Sequence, residues 1–438
     1  MERIGIIVTA HNYGRFLSQC LESVLAQTIR ETWRLVVVDD GSTDDTPEII
    51  ARYDRDDRVT ALRLHGVGLA SAANVGIAAI KSEWVIRLDA DDWLHPLCLE
   101  MLYATAVSRN VDLTYGDYLV VDGEGHLVGE GRQVEDPASA GHEFSPPAAG
   151  CLYRRSCWRE IGGYNESLRY QEDFDFWLKF TERFQTRRVP YPLYYYRRLP
   201  GSMSGNRQPR ADARRQVKRE AVRRRGKSLP SEGVPVVIHT TLPVDLRLGP
   251  EWGLVELHGR SLLDRLLDKL VEYVFLRPIT LVAATDALAQ WGVLRGLSVQ
   301  RTAHSFTMGR DLCASWSGEP PSQGPILFCS PFFPLIRQER LPEVLDTLLL
   351  FDCTRVDSVT PEVGETMVLR SQGLISYRGD GNGMPFFRQA GGLTALRGDA
   401  SGGGGRGYVE LLPPEDLFLN DVLALRLAEA ALALLSRS

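Results

Sequence analysis

The stretch "RLVVVDDGSTDDTPEII", residues 34–50, decides how the first half of the chain is read. Leu35 to Val38 form an unbroken apolar run that stops at the paired carboxylates Asp39 and Asp40. Such a run reads as a strand buried on both faces, as in a parallel sheet. Gly41 interrupts it, and "STDDTPEII" then opens with the capping pattern of a helix. The same grammar lies on either side. "IGIIVTA" (4–10) is another buried strand, and "FLSQCLESVLAQT" (16–28) places Phe16, Leu17, Cys20, Leu21, Val24 and Leu25 on one helical face. "AANVGIAAI" (72–80) reads as a small-residue helix and "EWVIRLD" (83–89) as a third strand. This βαβαβ rhythm predicts an α/β domain with a mainly parallel sheet over residues 1–204.

At 438 residues the chain holds two or three domains. Its 44% hydrophobic and 24% charged residues suit a globular protein with a sizeable core. The net charge of -6 gives no reason to expect nucleic acid as a partner. Seven cysteines, an odd number without a CxxC pair, argue against a disulfide framework or a zinc ribbon and suit a reducing cytoplasm. No stretch reaches the roughly 18 apolar residues of a membrane span, and the N-terminal apolar run is too short for a signal peptide. A cytoplasmic location follows as the expectation.

Residues 205–233 break the rhythm. "RADARRQVKREAVRRRGK" (210–227) crowds arginines, and Pro, Ser and Gly follow. The segment reads as an exposed basic helix and a linker. A solvated face, or one packed on the second domain, is favoured. The alternative is that 205–227 touches phosphate groups or the anionic inner face of a membrane. Alternation then resumes over 234–438. "VPVVIHT", "ITLVAAT" and "PILFCSP" read as strands. "SLLDRLLDKLVEYVF" puts Leu262, Leu263, Leu266, Leu267, Leu270, Val271 and Val274 on one side of a helix, and "DVLALRLAEAALALLSR" closes the chain as another.

Carboxylates at the C-terminal ends of parallel strands are informative, because ligands bind in the crevice outside those ends. Asp39 and Asp40 end one strand; "RLDADD" (87–92) puts Asp89, Asp91 and Asp92 at another. Carboxylates this close raise each other's pKa. A hard cation such as Mg²⁺ or Mn²⁺, shared with substrate phosphates, resolves the conflict. A polar turn after a strand is the alternative. Glu172 and Asp173 stand just ahead of the aromatic helix "FDFWLKF", where a carboxylate can act as general base for an attacking hydroxyl or simply decorate a helix N-terminus.

Seven segments in order carry a resemblance: "IVTAHNYGRFLSQCLESVLAQT", "VVVDDGSTDDT", "GLASAANVGI", "WVIRLDADDWLHP", "CLYRRSCWREIGGYNESL", "QEDFDFWLKF" and "YYYRRLPGSMS". Together they make residues 1–204 resemble the family 2 glycosyltransferases, which have the GT-A fold. The resemblance implies that Thr9, His11, Asn12 and Asn74 line a nucleotide pocket. It implies that Asp40, beside Asp39, hydrogen-bonds a uracil ring. Asp91 would bind a divalent cation, Mn²⁺ or Mg²⁺, with Asp89 as its partner and Asp92 flanking them. Asp173 would be the base, with Glu172 next to it. The implied reaction is an inverting transfer from a nucleoside-diphosphate sugar, a UDP-sugar by preference, to a glycan, lipid-linked or protein hydroxyl. Trp177 is assigned to the core rather than to an acceptor site. Two positions depart from the family: Ala73 replaces a frequent Arg, and Leu199 a frequent His.

Residues 234–437 resemble the cytidylyltransferases that make CMP-activated acidic sugars. The carriers are "LVELHGRSLLDRLLDKL", "LVAATDALAQWGVLRGLSVQR", "FCSPFFPLIRQERLPEVLDTLLLFDCTRVDSVTP", "FFRQAGGLTALR" and "LALRLAEAALALL". The chemistry has eroded. "HTTLPVDLRLGPEWG" keeps Arg247 and Gly249 but has no Gly-rich run and no Lys to cradle a triphosphate. Phe418 and Asn420 stand nearest the metal-binding positions, with Asp421 out of register. This half therefore reads as a degenerate relative serving binding, dimerisation to a homo-oligomer or scaffolding. The alternatives for the whole chain are a bifunctional protein that also makes a CMP-sugar, and a non-catalytic nucleotide-sugar-binding scaffold.

Overall fold

The structure, a computed structural model, describes residues 2–133, 149–203, 206–240, 251–302, 324–353, 355–362, 365–370, 373–378, 386–397, 406–411, 415 and 422–435. The chain divides into two compact units, the first mainly up to Val217 and the second mainly from Lys218 onward.

The first unit begins with β1 (Ile4–Ala10), α1 (Gly14–Leu25), β2 (Trp33–Asp39), α2 (Thr46–Ala51), β3 (Val59–Arg63), α3 (Leu69–Ala79) and β4 (Trp84–Asp89). It continues with β5 (Trp93–Leu94), α4 (Cys98–Arg109), β6 (Leu113–Val121), β7 (Leu127–Gly131), β8 (Leu152–Arg154), α5 (Arg155–Glu160), α6 (Glu172–Thr181) and β9 (Thr186–Arg197). The strands form one sheet in the order β3-β2-β1-β4-β8-β6-β9-β5, with β7 beside β6. β3, β2, β1 and β4 run parallel. β8 then enters antiparallel to both β4 and β6, so the sheet is mixed rather than mainly parallel. Apolar runs report burial, not strand direction, which is why the sequence did not disclose the reversal.

All seven residues of β1 are buried. Ile4, Ile6 and Val8 face one core with Leu17, Leu21 and Val24 of α1 and Leu99 and Leu102 of α4. Ile7 faces the other core with Ala73 and Ile77 of α3 and Phe176, Trp177 and Phe180 of α6. Each such fully buried aliphatic contributes about 1.5–3 kcal/mol. The period-2 alternation thus buries both faces, and helices cover each side. α3 lies close: a Cβ on Gly76 would meet Ile7 Cγ2 at 2.6 Å and Val38 Cγ2 at 3.0 Å. Ala73, in the same helix, is fully buried, so a long arginine has no room there. Trp177 packs edge-on against Tyr115 in this core, as expected of it.

α7 (Arg207–Arg224) carries the basic segment, and the division between the units falls inside it. The expectation of an exposed helix fails for its second half. Val217, Lys218, Ala221 and Val222 are buried. Val217, Ala221 and Val222 form a short apolar stripe, and beside them Lys218 Nζ donates to Thr347 Oγ1 at 3.2 Å and lies 3.5 Å from Glu343.

The second unit contains β10 (Val234–His239), β11 (Glu256–Leu257), β12 (Arg260–Ser261), α8 (Leu262–Val271), β13 (Leu276–Ala283), α9 (Asp286–Leu294), β14 (Ser298–Arg301), β15 (Pro325–Cys329) and α10 (Arg340–Leu350). After these come β16 (Arg355–Glu362), β17 (Glu365–Arg370), β18 (Gly373–Arg378), β19 (Phe386–Arg397), β20 (Arg406–Glu410) and α11 (Val422–Leu435). Its main sheet has the order β14-β13-β10-β15-β19-β16-β20, parallel from β14 to β15 and then antiparallel through β19 to β16. Leu262, Leu263 and Leu270 of α8 are buried, but Val271 is 58% and Val274 73% exposed. The expected stripe stops at Leu270: Val271 is the last residue of α8, and Val274 lies beyond the helix.

A buried ionic cluster holds α10. Arg340, 1% exposed, donates from Nη1 to Glu343 at 2.7 Å and from Nη2 to Glu415 at 2.8 Å. Removing Arg340 would leave Glu343 to its 3.5 Å contact with Lys218 and Glu415 to its bonds with Arg337, a poorer balance of buried charge. Arg340→Met is therefore expected to cost about 3–5 kcal/mol of stability, read by urea unfolding of the second unit. A loss below about 1 kcal/mol would mean that the carboxylates find other partners.

Among the described residues Cys20, Cys98, Cys151, Cys157, Cys329 and Cys353 are free and buried, and no helix is long and apolar enough to cross a membrane. Cys313, Arg247, Gly249, Phe418, Asn420 and Asp421 lie outside the described residues.

Candidate functional site

The parallel register gathers the predicted residues at one end of the first sheet. Thr9 pairs with Val38 and with Asp89, and Ala10 pairs with Asp39. The loops that follow are tied together. Asp39 Oδ1 accepts the Ser42 N–H at 2.8 Å, and Ser42 Oγ accepts the Asn12 N–H at 2.9 Å. Asn12, in a left-handed conformation with φ 60°, accepts the Thr43 N–H at 2.8 Å. His11 Nδ1–H donates to the Asp40 carbonyl at 2.7 Å. Both Asp40 oxygens accept backbone N–H groups, from Val67 and Gly68, each at 2.7 Å. Asp40 therefore shapes the loop before α3, and a ligand donor would have to use its remaining lone pairs. Asp39 Oδ2 is buried without a hydrogen bond, 3.6 Å from Arg63 Nε.

Asn74 is committed elsewhere. Its amide donates to Tyr164 O at 2.9 Å and Glu166 at 2.8 Å and accepts from Tyr164 N at 3.0 Å and Trp158 Nε1 at 3.3 Å. That fills its hydrogen-bonding capacity and fastens α3 to the segment ahead of α6.

The three carboxylates of "RLDADD" have different surroundings. Asp92 is buried, accepting the Tyr194 hydroxyl on one oxygen and the Arg197 N–H on the other at 2.7 Å. It is a strut between the loop and β9. Asp91 is half-buried, and burial together with the charge of Asp89 pushes its pKa up to about 7. Asp89 Oδ1 is a buried oxygen without a hydrogen bond; its carboxylate lies 3.4 Å from Arg87 Nη2. An unsatisfied carboxylate oxygen beside a carboxylate that resists ionisation is the donor set a hard divalent cation fits. Asp91 and Asp89 would hold it, the remaining positions being left to water and phosphate oxygens, since no group of three acidic, His or Cys side chains converges among the described residues.

Two arginines without a role in the sequence reading organise this end of the sheet. Arg87, 3% exposed, bridges Asp89 and Glu172, whose Oε1 lies 3.3 Å from Nη1. Its signal was visible: a cation inside the apolar strand "EWVIRLD" needs a buried partner. Burial, followed by the charge of Asp173, nevertheless raises the Glu172 pKa to about 7; a 3.3 Å contact with Arg87 does not offset full desolvation. Arg197 donates from Nε to the Asp91 carbonyl at 2.9 Å, from Nη1 to Gly123 O at 3.0 Å and from Nη2 to Gln19 at 2.6 Å. Its guanidinium also lies over Phe16 and Trp93. These partners are up to 178 residues away in sequence, so no local pattern announced them.

Asp173 is half-buried in the first turn of α6, with Oδ1 accepting the Phe174 N–H at 2.7 Å. The predicted Glu172–Asp173 pair thus divides into a buried, ion-paired residue and one with partial exposure.

The Glycosyl transferase family 2 model matches residues 5–162. Chondroitin synthase of Escherichia coli is 29% identical over 188 residues, covering 41% of this chain and 26% of that protein. The poly(ribitol-phosphate) beta-N-acetylglucosaminyltransferase TarP of Staphylococcus aureus (strain N315) is 34% identical over 131 residues, 29% of this chain and 40% of that protein. The chain therefore spans less than half the length of either relative. The crystal structure of S. aureus TarS 1-349 in complex with UDP-GlcNAc aligns at 20% identity with a TM-score of 0.43, covering 50% of this chain and 66% of that one. Residues 5–162 are a family 2 glycosyltransferase domain.

Proposed function

We propose that the first unit transfers a sugar, with inversion, from a nucleoside-diphosphate sugar to a hydroxyl of a growing glycan or polysaccharide. The observation that carries this reading is the Asp89–Arg87–Glu172 bridge, which ties the strand-end carboxylates to the helix bearing Asp173. Diphosphate-binding and proton-accepting groups are thereby fixed to one buried cation. Thr9, His11, Asn12, Asp39 and Asp40 bound the nucleotide side, and Asp40 reads a uracil N–H through a free lone pair, which favours a UDP donor. A divalent cation bound by Asp91 and Asp89 would offset the charge developing on the leaving diphosphate. Asp173 takes the proton of the attacking hydroxyl, and Glu172 holds the helix start against Arg87.

The test is a screen of nucleoside-diphosphate release from UDP-, GDP- and dTDP-sugars with Mn²⁺ or Mg²⁺. Release from UDP-sugars that depends on the cation is expected. Absence of release from every donor, with and without glycan acceptors, would favour the scaffold alternative. Arg197→Lys is expected to keep the charge but lose the fork across Asp91, Gly123 and Gln19, raising the donor KM about tenfold. An unchanged KM would show that the loop holds itself.

For the second unit we favour a nucleotidyltransferase-like domain used for binding or assembly rather than CMP-sugar synthesis. What supports this is that β10 ends on His239, followed by Thr240, and β15 on Cys329, followed by Ser330, without the carboxylates that distinguish the first sheet. Pyrophosphate release from CTP with acidic sugars would overturn it.

A further inference from the structure

We propose that Arg214, beyond the expected end of the catalytic domain at residue 204, is a positioning residue for Asp173; this rests on the reading of Asp173 as the base. α6 starts from Gln171, a buried non-glycine residue held at φ 65°. A left-handed residue of this kind persists only where its surroundings enforce it, and such residues gather at functional sites. Arg214 supplies the enforcement. Its Nη1 donates to Gln171 Oε1 at 3.0 Å, and its guanidinium lies 4.0 Å from the centre of the Phe174 ring. Asn206, just ahead of the same helix, donates to the Tyr170 hydroxyl at 3.2 Å.

These contacts grip the chain on both sides of the Glu172–Asp173 pair: Tyr170 and Gln171 before it, Phe174 after it. Asp173 cannot orient itself independently, because its Oδ1 is already bound to the N–H of Phe174. The direction of its carboxylate is thus set by the first turn of α6, and that turn by Gln171. If Gln171 relaxes to a right-handed conformation, the turn swings and the carboxylate moves with it. A planar guanidinium can both donate to an amide oxygen and lie flat on a ring; an ammonium cannot do both well. The first half of the basic helix therefore serves the chemistry of the first unit instead of a membrane surface.

The experiment uses the full chain with the donor found in the screen, and measures kcat, donor KM, and UDP affinity by calorimetry with Mn²⁺. Arg214→Ala is expected to lower kcat about ten- to a hundredfold while donor KM and UDP affinity stay within about twofold, because only the base is misplaced. Arg214→Lys is expected to recover less than half of the lost rate. Gln171→Ala, which cannot bond Arg214 and is strained at φ 65°, is expected to lower kcat in the same way. Wild-type kcat in Arg214→Ala or in Gln171→Ala would overturn the proposal, as would a parallel loss of UDP affinity. Full activity of Asp173→Asn would instead remove the reading on which it rests, whatever Arg214→Ala does.

Discussion

Asp91→Asn is expected to lower sugar transfer about a thousandfold, measured as nucleoside-diphosphate release with saturating Mn²⁺. Asparagine keeps the shape of the side chain but has no anionic oxygen, only a neutral carbonyl to offer a cation. The folded chain should meanwhile gain stability. Asp91 ionises in the fold only near pH 7, well above its ordinary 3.8, because burial and Asp89 disfavour its charge. Below both values the group is protonated in either state and contributes nothing. Above them the fold carries the cost of the charge, which asparagine removes. Activity and melting temperature are thus expected to move in opposite directions without metal. A variant that is both inactive and less stable would point to a structural role for Asp91. Retained transfer would remove it from the diphosphate site.

Asp173→Asn is expected to lower kcat by about 10²–10⁴ with little change in UDP affinity, as loss of a general base does. Glu172→Gln should be milder in rate and visible in pH dependence. Its carboxyl is raised from 4.5 to about 7 by burial and then by Asp173. Stability should therefore fall as pH rises from about 4.5 to 7, with a slope of at most about 1.4 kcal/mol per pH unit from this one group. Glu172→Gln is expected to flatten that part of the curve, and urea midpoints across the range read it directly. An unchanged slope would mean that Glu172 ionises normally in the fold. Equal rate losses in both variants would erase the distinction drawn between a buried strut and a half-exposed base.

Much of this was legible beforehand, for a physical reason. Runs such as "IGIIVTA" and "RLVVVDD" have to be buried on both faces, which fixes strands with helices on each side and places Asp39, Asp40 and Asp89 at strand ends. Helical faces with period 3.6, as in α1, follow from the same partitioning of apolar groups. The α8 stripe was misread at its end, because periodicity does not mark where the backbone stops hydrogen bonding.

The sequence by itself determined the two α/β regions, the strand-end carboxylates and the acidic start of α6, because burial and residue chemistry are local properties. Only the tertiary structure decided which carboxylates are struts. Asp92 is spent on Tyr194 and Arg197, Glu172 is spent on Arg87, and Asp40 is tied to the backbone of Val67 and Gly68 with lone pairs left over. It also decided that the basic helix is packed, through Lys218 and Arg214, rather than laid open to solvent. Those assignments depend on partners 27 to 129 residues away, and a hydrogen bond across that separation exists only once the sheet has brought its ends together.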